Sequence, residues 1–246
     1  MGHLSQAKDI SEVTQPELWV IYGKSGSGKT ALGGTFPKPM LYVKIGDDGS
    51  NTIKSYKGIK TIEAHNPKDA KEIAKELLKD TKYKSVFFDT FSLITNEWVN
   101  ENAVVKNKRM TQQMWGDLKT DTEEIIRLLH QVAETHVVVL SCHEAADAFE
   151  GMEDEILPDI RPSVTKGART YLEGMANYGI HCIKVTKEID TEEGTKEVTK
   201  FGVNLGANPY YWTKLQIDPS IKVPKMVFNP SYDKIIKLIT GGKNNE

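Results

Sequence analysis

Leu18-Trp19-Val20-Ile21-Tyr22-Gly23-Lys24-Ser25-Gly26-Ser27-Gly28-Lys29-Thr30 joins a short apolar run of β-branched and aromatic residues to a glycine-rich octapeptide. The apolar half predicts a strand buried on both faces, and the octapeptide predicts a tight loop that opens a helix. Residues 23–30 meet the pattern G-x-x-x-x-G-K-[ST] at every fixed position, in the strand-then-helix context that the pattern needs. Gly26 and Gly28 free the backbone to curl, so that successive amide N–H groups and the helix N-terminus point at a β-phosphate. Lys29 then reaches the terminal phosphates, and the Thr30 hydroxyl is a ligand for magnesium, whose remaining positions go to phosphate oxygens and water. Gly23, Lys24, Ser25, Gly26, Ser27, Gly28, Lys29 and Thr30 are therefore the expected binding residues for ATP or GTP with Mg2+.

Outward from this loop the pattern alternates. Gly33-Gly34, Pro37 and Pro39 keep the first helix short, and residues 40–45 form a second apolar run ending at Gly46-Asp47-Asp48-Gly49. Asn66-Pro67 opens an amphipathic helix with Ala70, Ile73, Ala74, Leu77 and Leu78 on one face. Residues 85–89 and 137–141 are further buried strands, with Leu118, Ile125, Leu129 and Val132 marking a helix between them. Acids, Pro158, Pro162 and Gly167 break the pattern over residues 145–168, which read as a long loop. Residues 179–185 and 196–203 read as a hairpin about Glu192-Glu193-Gly194, and residues 232–239 as a short helix stopped by Gly241-Gly242. Alternating strands and helices predict a three-layer α/β domain with a mostly parallel central sheet and a late antiparallel hairpin. The expected organisation is a polar, loosely ordered segment at 1–16 and a single domain at 17–246, with its core at about 18–203 and an extension at 204–246.

Composition narrows the function. Lys plus Arg (32) nearly balances Asp plus Glu (34), so any nucleic-acid contact must be a local patch. Cys142 and Cys182 are too few for a secreted disulfide framework and fit a reducing cytoplasm. The pairs Cys142-His143 and His181-Cys182 suggest zinc, but strand neighbours point to opposite faces and cannot easily chelate together. No apolar run approaches the ~20 residues of a membrane helix, so no membrane partner is expected.

Asp89 ends the strand Val86-Phe87-Phe88 at the sheet edge where ligands bind, the position of a carboxylate that holds magnesium through water; a helix cap is its plainer role. No glutamate follows it, so the group that activates the attacking water must come from elsewhere. Asp47 and Asp48 end the second strand on the same edge, with Asp48 preferred because Gly49 follows, although an Asp-Gly turn explains both equally. Ser141 and His143 end another strand there, and His143 is the better candidate to sense a terminal phosphate.

On Tyr22 to Thr30, Phe36-Pro37-Lys38-Pro39, Phe87-Phe88-Asp89-Thr90 and Val138-Val139-Leu140-Ser141-Cys142-His143-Glu144, the chain resembles the phage nucleotide-binding AAA-type family with a RecA-like core, which includes Sak-type ATPases of phage single-strand annealing and recombination. The likeness runs in order over residues 18–185, and only the phosphate loop in it is highly specific. It implies a RecA-like P-loop NTPase fold, ATP as the nucleotide, single-stranded DNA as ligand and nucleotide at the junctions of a homo-oligomer. It also implies a single-strand DNA-binding protein as a further partner, a phage-encoded origin and a place in the bacterial host cytoplasm. The family's catalytic carboxylate falls on Asp47 or Asp48, where this chain has aspartate in place of the common glutamate. Its DNA-facing loops fall on residues 99–115 and 145–172.

Those segments carry Lys106, Lys108 and Arg109 with Trp115, and Arg161, Lys166 and Arg169 with Tyr171, the mix of cations and aromatics that suits unpaired strands. Acids in the second segment, Asp159 among them, work against a phosphate backbone. A competing reading is an ATP-switched loader or regulator whose loops hold a protein instead of DNA. A small-molecule kinase would need lid arginines, of which this chain has few candidates.

Overall fold

The computed structural model describes residues 7–10, 13, 15–46, 49–80, 82–150, 156–191 and 194–242. Strand β1 (Glu17–Gly23) lies at the middle of the sheet, with Leu18 to Tyr22 wholly buried, as the unbroken apolar run requires. Helix α1 (Lys29–Gly33) is a single turn. Gly33 ends it against β4 (Ser85–Asp89), where any Cβ would stand 2.2 Å from the Phe87 ring.

Strands β2 (Met40–Lys44) and β3 (Ile59–Glu63) follow, then α2 (Pro67–Leu77), whose N-terminus is capped by Asn66 Oδ1 accepting from the Asp69 N–H at 3.0 Å. After β4 come α3 (Leu93–Val99), a π-turn over residues 100–104 and α4 (Gln112–Val132), which Thr111 caps in the same way. The chain continues through β5 (Val137–Glu150), β6 (Ile156–Pro162), α5 (Lys166–Met175), β7 (Tyr178–Thr191) and β8 (Gly194–Asn204). It closes with β9 (Lys214–Leu215), β10 (Met226–Phe228) and α6 (Tyr232–Ile239).

The sheet order is β10-β8-β7-β1-β5-β4-β2-β3, with β6 on β5 and β9 on β7. The central pairs β7·β1, β1·β5, β5·β4, β4·β2 and β2·β3 are parallel; the ribbons β7·β8 and β5·β6 are antiparallel. Alternation along the strands divides the core into two layers. Leu18, Val20, Tyr22, Phe88 and Leu140 face the helices α2 to α5, whereas Trp19, Ile21, Phe87 and Val139 face α1 and α6. This is the expected three-layer α/β sheet of a P-loop NTPase with its late hairpin.

Two expectations are corrected. Within 145–168, the expected loop, residues 145–150 and 156–162 are strand and 166–168 open α5: β5 runs on past the sheet edge to Glu150, and β6 returns against it with Glu144 opposite Pro162. Pairing with its partner strand, not burial, holds this ribbon, so the apolar signal is missing. Strand β3 is additional to the expected elements; it lies at the sheet edge and only Ile59 in it is even partly buried. The late hairpin is also longer than expected, reaching from Tyr178 to Asn204.

Leu129 of α4 is 0% exposed within the larger core layer. Leu129→Ala is expected to cost about 2–5 kcal/mol in urea unfolding. A loss below about 1 kcal/mol would mean that α4 does not carry the core as described.

Candidate nucleotide-binding site

Between β1 and α1 the backbone turns through glycines at which a side chain would be strained or would clash. Gly26 and Gly28 have φ of 73° and 88°, and a Cβ at Gly23 would stand 2.3 Å from the carbonyl oxygen of Cys182 on the neighbouring strand. Lys29 is 7% exposed and folds over the loop, its Nζ donating to the carbonyls of Gly23 and Lys24 at 2.9 Å each. Burial holds its pKa below the ordinary lysine value. Ser27 Oγ is buried inside the loop with no hydrogen-bond partner. A phosphate oxygen at this position satisfies both groups, which is the physical sign of an anion site. The loop forms one wall of a cavity of about 800 Å³, whose lining also includes Thr30, Asp89, Thr90 and His143. Such a volume suits a whole nucleotide.

Asp89 is 1% exposed at the C-terminal end of β4 and forms the floor of the cavity's inner end. Its Oδ2 accepts from the Thr30 hydroxyl at 2.7 Å and from the Tyr42 hydroxyl at 3.1 Å, and its Oδ1 from Thr90 Oγ1 at 3.1 Å. The proton of Thr30 is thus spent on Asp89, which leaves the lone pairs of Thr30 Oγ1 free for a cation. Hydroxyl and carboxylate oxygens are the hard donors that Mg2+ takes, and its octahedral shell leaves room for phosphates and water. Among the described residues no group of three His, Cys, Asp or Glu side chains could hold an ion alone. Thr30 and Asp89, which sequence reasoning assigned to magnesium, are brought together; Tyr42 and Thr90, which steady Asp89, were missed because an inward Tyr and a Thr after a strand carry no motif.

His143 also lines the cavity, at the point where β5 leaves the sheet. Its N–H donates to Ser92 Oγ at 2.9 Å. Burial first, and then the Lys29 charge, lowers the pKa of its imidazole, with Asp89 opposing, which favours the neutral ring. Ser141 Oγ is fully buried and unpartnered. Asp47 and Asp48 lie outside the described residues; Gly49 beside them passes against Thr30, where a Cβ would stand 2.6 Å from its hydroxyl oxygen.

Where β1 turns into the loop, its neighbours β5 and β7 continue, and side chains close the gap. Glu144 and His181 meet at 2.9 Å, His181 stacks on Tyr22 at 4.9 Å, and Asn204 reaches the other ring nitrogen at 3.2 Å. The Tyr22 hydroxyl donates to the carbonyls of Trp212 and Ile160, at 2.6 and 3.2 Å. No local pattern shows this buckle, because its members are separated by up to 190 residues.

The basic residues expected to face DNA divide into two groups. Arg161 is held by Asp159 at 2.6 Å and Glu173 at 3.0 Å, and Arg169 by Asp147 at 2.5 Å. These arginines brace the β5·β6 ribbon and α5, whereas Lys166 at the start of α5 is exposed. In the other segment Lys106, Lys108 and Arg109 are all exposed, Lys106 reaching only Asn102 at 3.1 Å, and Trp115 is 51% exposed.

Lys29→Ala and Asp89→Ala are each expected to lower nucleotide hydrolysis by roughly a hundredfold or more while the far-UV circular dichroism stays native, since the first removes the cation for the terminal phosphates and the second the carboxylate that holds Thr30 and the metal end of the site. Near-normal turnover in either variant would refute this site.

No match is found among curated proteins. A family model described as an AAA domain matches residues 16–206, from just before β1 to just past β8. That segment holds the phosphate loop, Asp89 and His143 in their structural order, and on this match the chain belongs to the AAA domain family and has the fold of a P-loop NTPase.

Proposed function

We propose that the protein is a magnesium-dependent ATPase with a RecA-like core that acts on single-stranded DNA in phage recombination or annealing, binding ATP at the junction between copies of the chain. The observation that carries the coupling of the two ligands is the position of His143. It lines the nucleotide cavity and also a second cavity of about 260 Å³, whose walls include Trp115, Ser163, Val164 and Thr165. The two segments expected to face DNA therefore meet at a residue that also lines the cavity read here as the nucleotide site.

In this reading Lys29 leaves the loop carbonyls for the terminal phosphates, and the loop amides and Ser27 cradle the β-phosphate. Magnesium, when bound with ATP, neutralises charge developing on the phosphates. Thr30 and Asp89 hold that end of the site, and Asp48 or Asp47 orients the attacking water. A neutral His143 donates or accepts a single hydrogen bond at the γ-phosphate, and its movement with β5 alters the second cavity. Exposed Lys106, Lys108, Arg109 and Lys166 attract a phosphate backbone, and Trp115 offers a face to an unpaired base.

A protein-binding switch is the second reading. It is favoured by Val104 and Val105, which are 65% and 74% exposed beside the basic residues, and by the internal ion pairs of Arg161 and Arg169. Magnesium-dependent ATP hydrolysis with and without single-stranded DNA, with Lys29→Ala as the blank, separates the two. DNA stimulation that fades as salt rises supports the first reading. ATP binding with a flat response to DNA rejects it in favour of the switch.

A further inference from the structure

The cavity extends well beyond the phosphates. Besides the phosphate loop and Asp89 its lining includes Leu32, Thr35, Phe201, Gly202, Asn229 and Pro230, and among the described lining residues Asp89 is the one carboxylate. These six are uncharged, three of them are apolar and one, Phe201, is aromatic, the surroundings that suit a flat heterocycle instead of a phosphate.

Phe201 is its principal surface. It is 41% exposed on β8, and its ring lies against Gly28 of the phosphate loop, where a Cβ would stand 3.1 Å from the Phe201 Cδ1. One part of the ring is thus seated on the loop while another is open to the cavity. Beside it, on the neighbouring strand, the chain leaves β10 through Asn229, at φ 47°, into Pro230. The Asn229 N–H donates to the Phe201 carbonyl at 2.8 Å, which fixes the turn against β8. The far wall is pinned as well: Thr35 Oγ1 donates to the Leu32 carbonyl at 2.7 Å and accepts from the Tyr232 N–H at 2.9 Å, tying the end of α1 to the start of α6. Asn229, Pro230 and Tyr232 all lie beyond residue 206, where the family match ends.

We infer that the segment after the AAA domain completes the nucleotide site, with Phe201 and the Asn229-Pro230 turn forming a slot for the purine base. This rests on the nucleotide-binding reading of the phosphate loop and adds to it the part of the ligand that the loop cannot read. The loop recognises phosphates through amides and Lys29 and is indifferent to the base; the slot recognises the base by stacking on Phe201 and by enclosure against Pro230. It also ties the C-terminal extension to nucleotide occupancy, because the base bridges β8 and the turn after β10.

Calorimetric titration of the full chain with magnesium and either ATP or inorganic tripolyphosphate tests this, since the second ligand has the phosphates and no base. The wild type is expected to bind ATP at least about tenfold tighter than tripolyphosphate, the gain of roughly one aromatic–base stack. Phe201→Ala is expected to remove that gain and leave tripolyphosphate binding unchanged, Phe201→Trp to keep it, and Pro230→Gly to reduce it. Equal affinity of the wild type for both ligands would overturn the slot while leaving the phosphate site intact. A Phe201→Ala protein weakened equally toward both would also overturn it, because the ring would then only support the loop. Failure of the wild type to bind either ligand would overturn the nucleotide reading and the slot with it.

Discussion

The hydrogen bond between Thr30 and Asp89, 2.7 Å long, is the contact on which the rest of this architecture depends. It joins the first turn of α1 to the end of β4, although β1 and β4 are not neighbours and β5 lies between them. Such a contact requires both parallel strands to end close together along β5, and the register sets Gly23 opposite His143 and Phe88 opposite Leu140, so that the two ends are offset by two residues. It also requires a helix that starts immediately after a tight loop, and so glycines at positive φ. Sheet order, loop geometry and the charge at the cavity floor thus have a common cause.

A second constraint follows from ending β1 early. Its neighbours continue as the β5·β6 and β7·β8 ribbons, which leave an opening at the C-terminal edge of the sheet, the edge where ligands of open α/β sheets bind. Glu144, His181 and Tyr22 close the base of this opening with paired polar groups, where a buried gap would otherwise leave them unsatisfied. Cavity, ribbons and buckle are one arrangement: the strand that carries the loop stops, and the strands beside it supply the walls.

Much of this was legible in the residues. Leu18 to Thr30 identified the central strand, the loop and the helix, because buried parallel strands and phosphate loops both have dense local signals. The helices α2 and α4 were legible through a 3.6-residue apolar period, with Asn66 marking the start of the first. Thr30 and Asp89 were assigned separately and meet as a pair. What remained hidden depends on partners remote in sequence. Arg161 and Arg169 resemble free cations until Glu173 and Asp147 are seen beside them. The edge strand β3 has Lys60 and Glu63 in place of an apolar run, and Phe201 acquires meaning only when β8 is laid beside the loop.

The central claim is that Thr30 and Asp89 form the magnesium end of a nucleotide site. Titrating ATP into the wild type and into Thr30→Val, each with magnesium and with chelator, tests it most directly, because valine keeps the shape of threonine and removes only the oxygen. The account predicts one ATP per chain, bound about tenfold or more tightly with magnesium in the wild type, and no gain from magnesium in the variant. An equal magnesium gain in both proteins would contradict it.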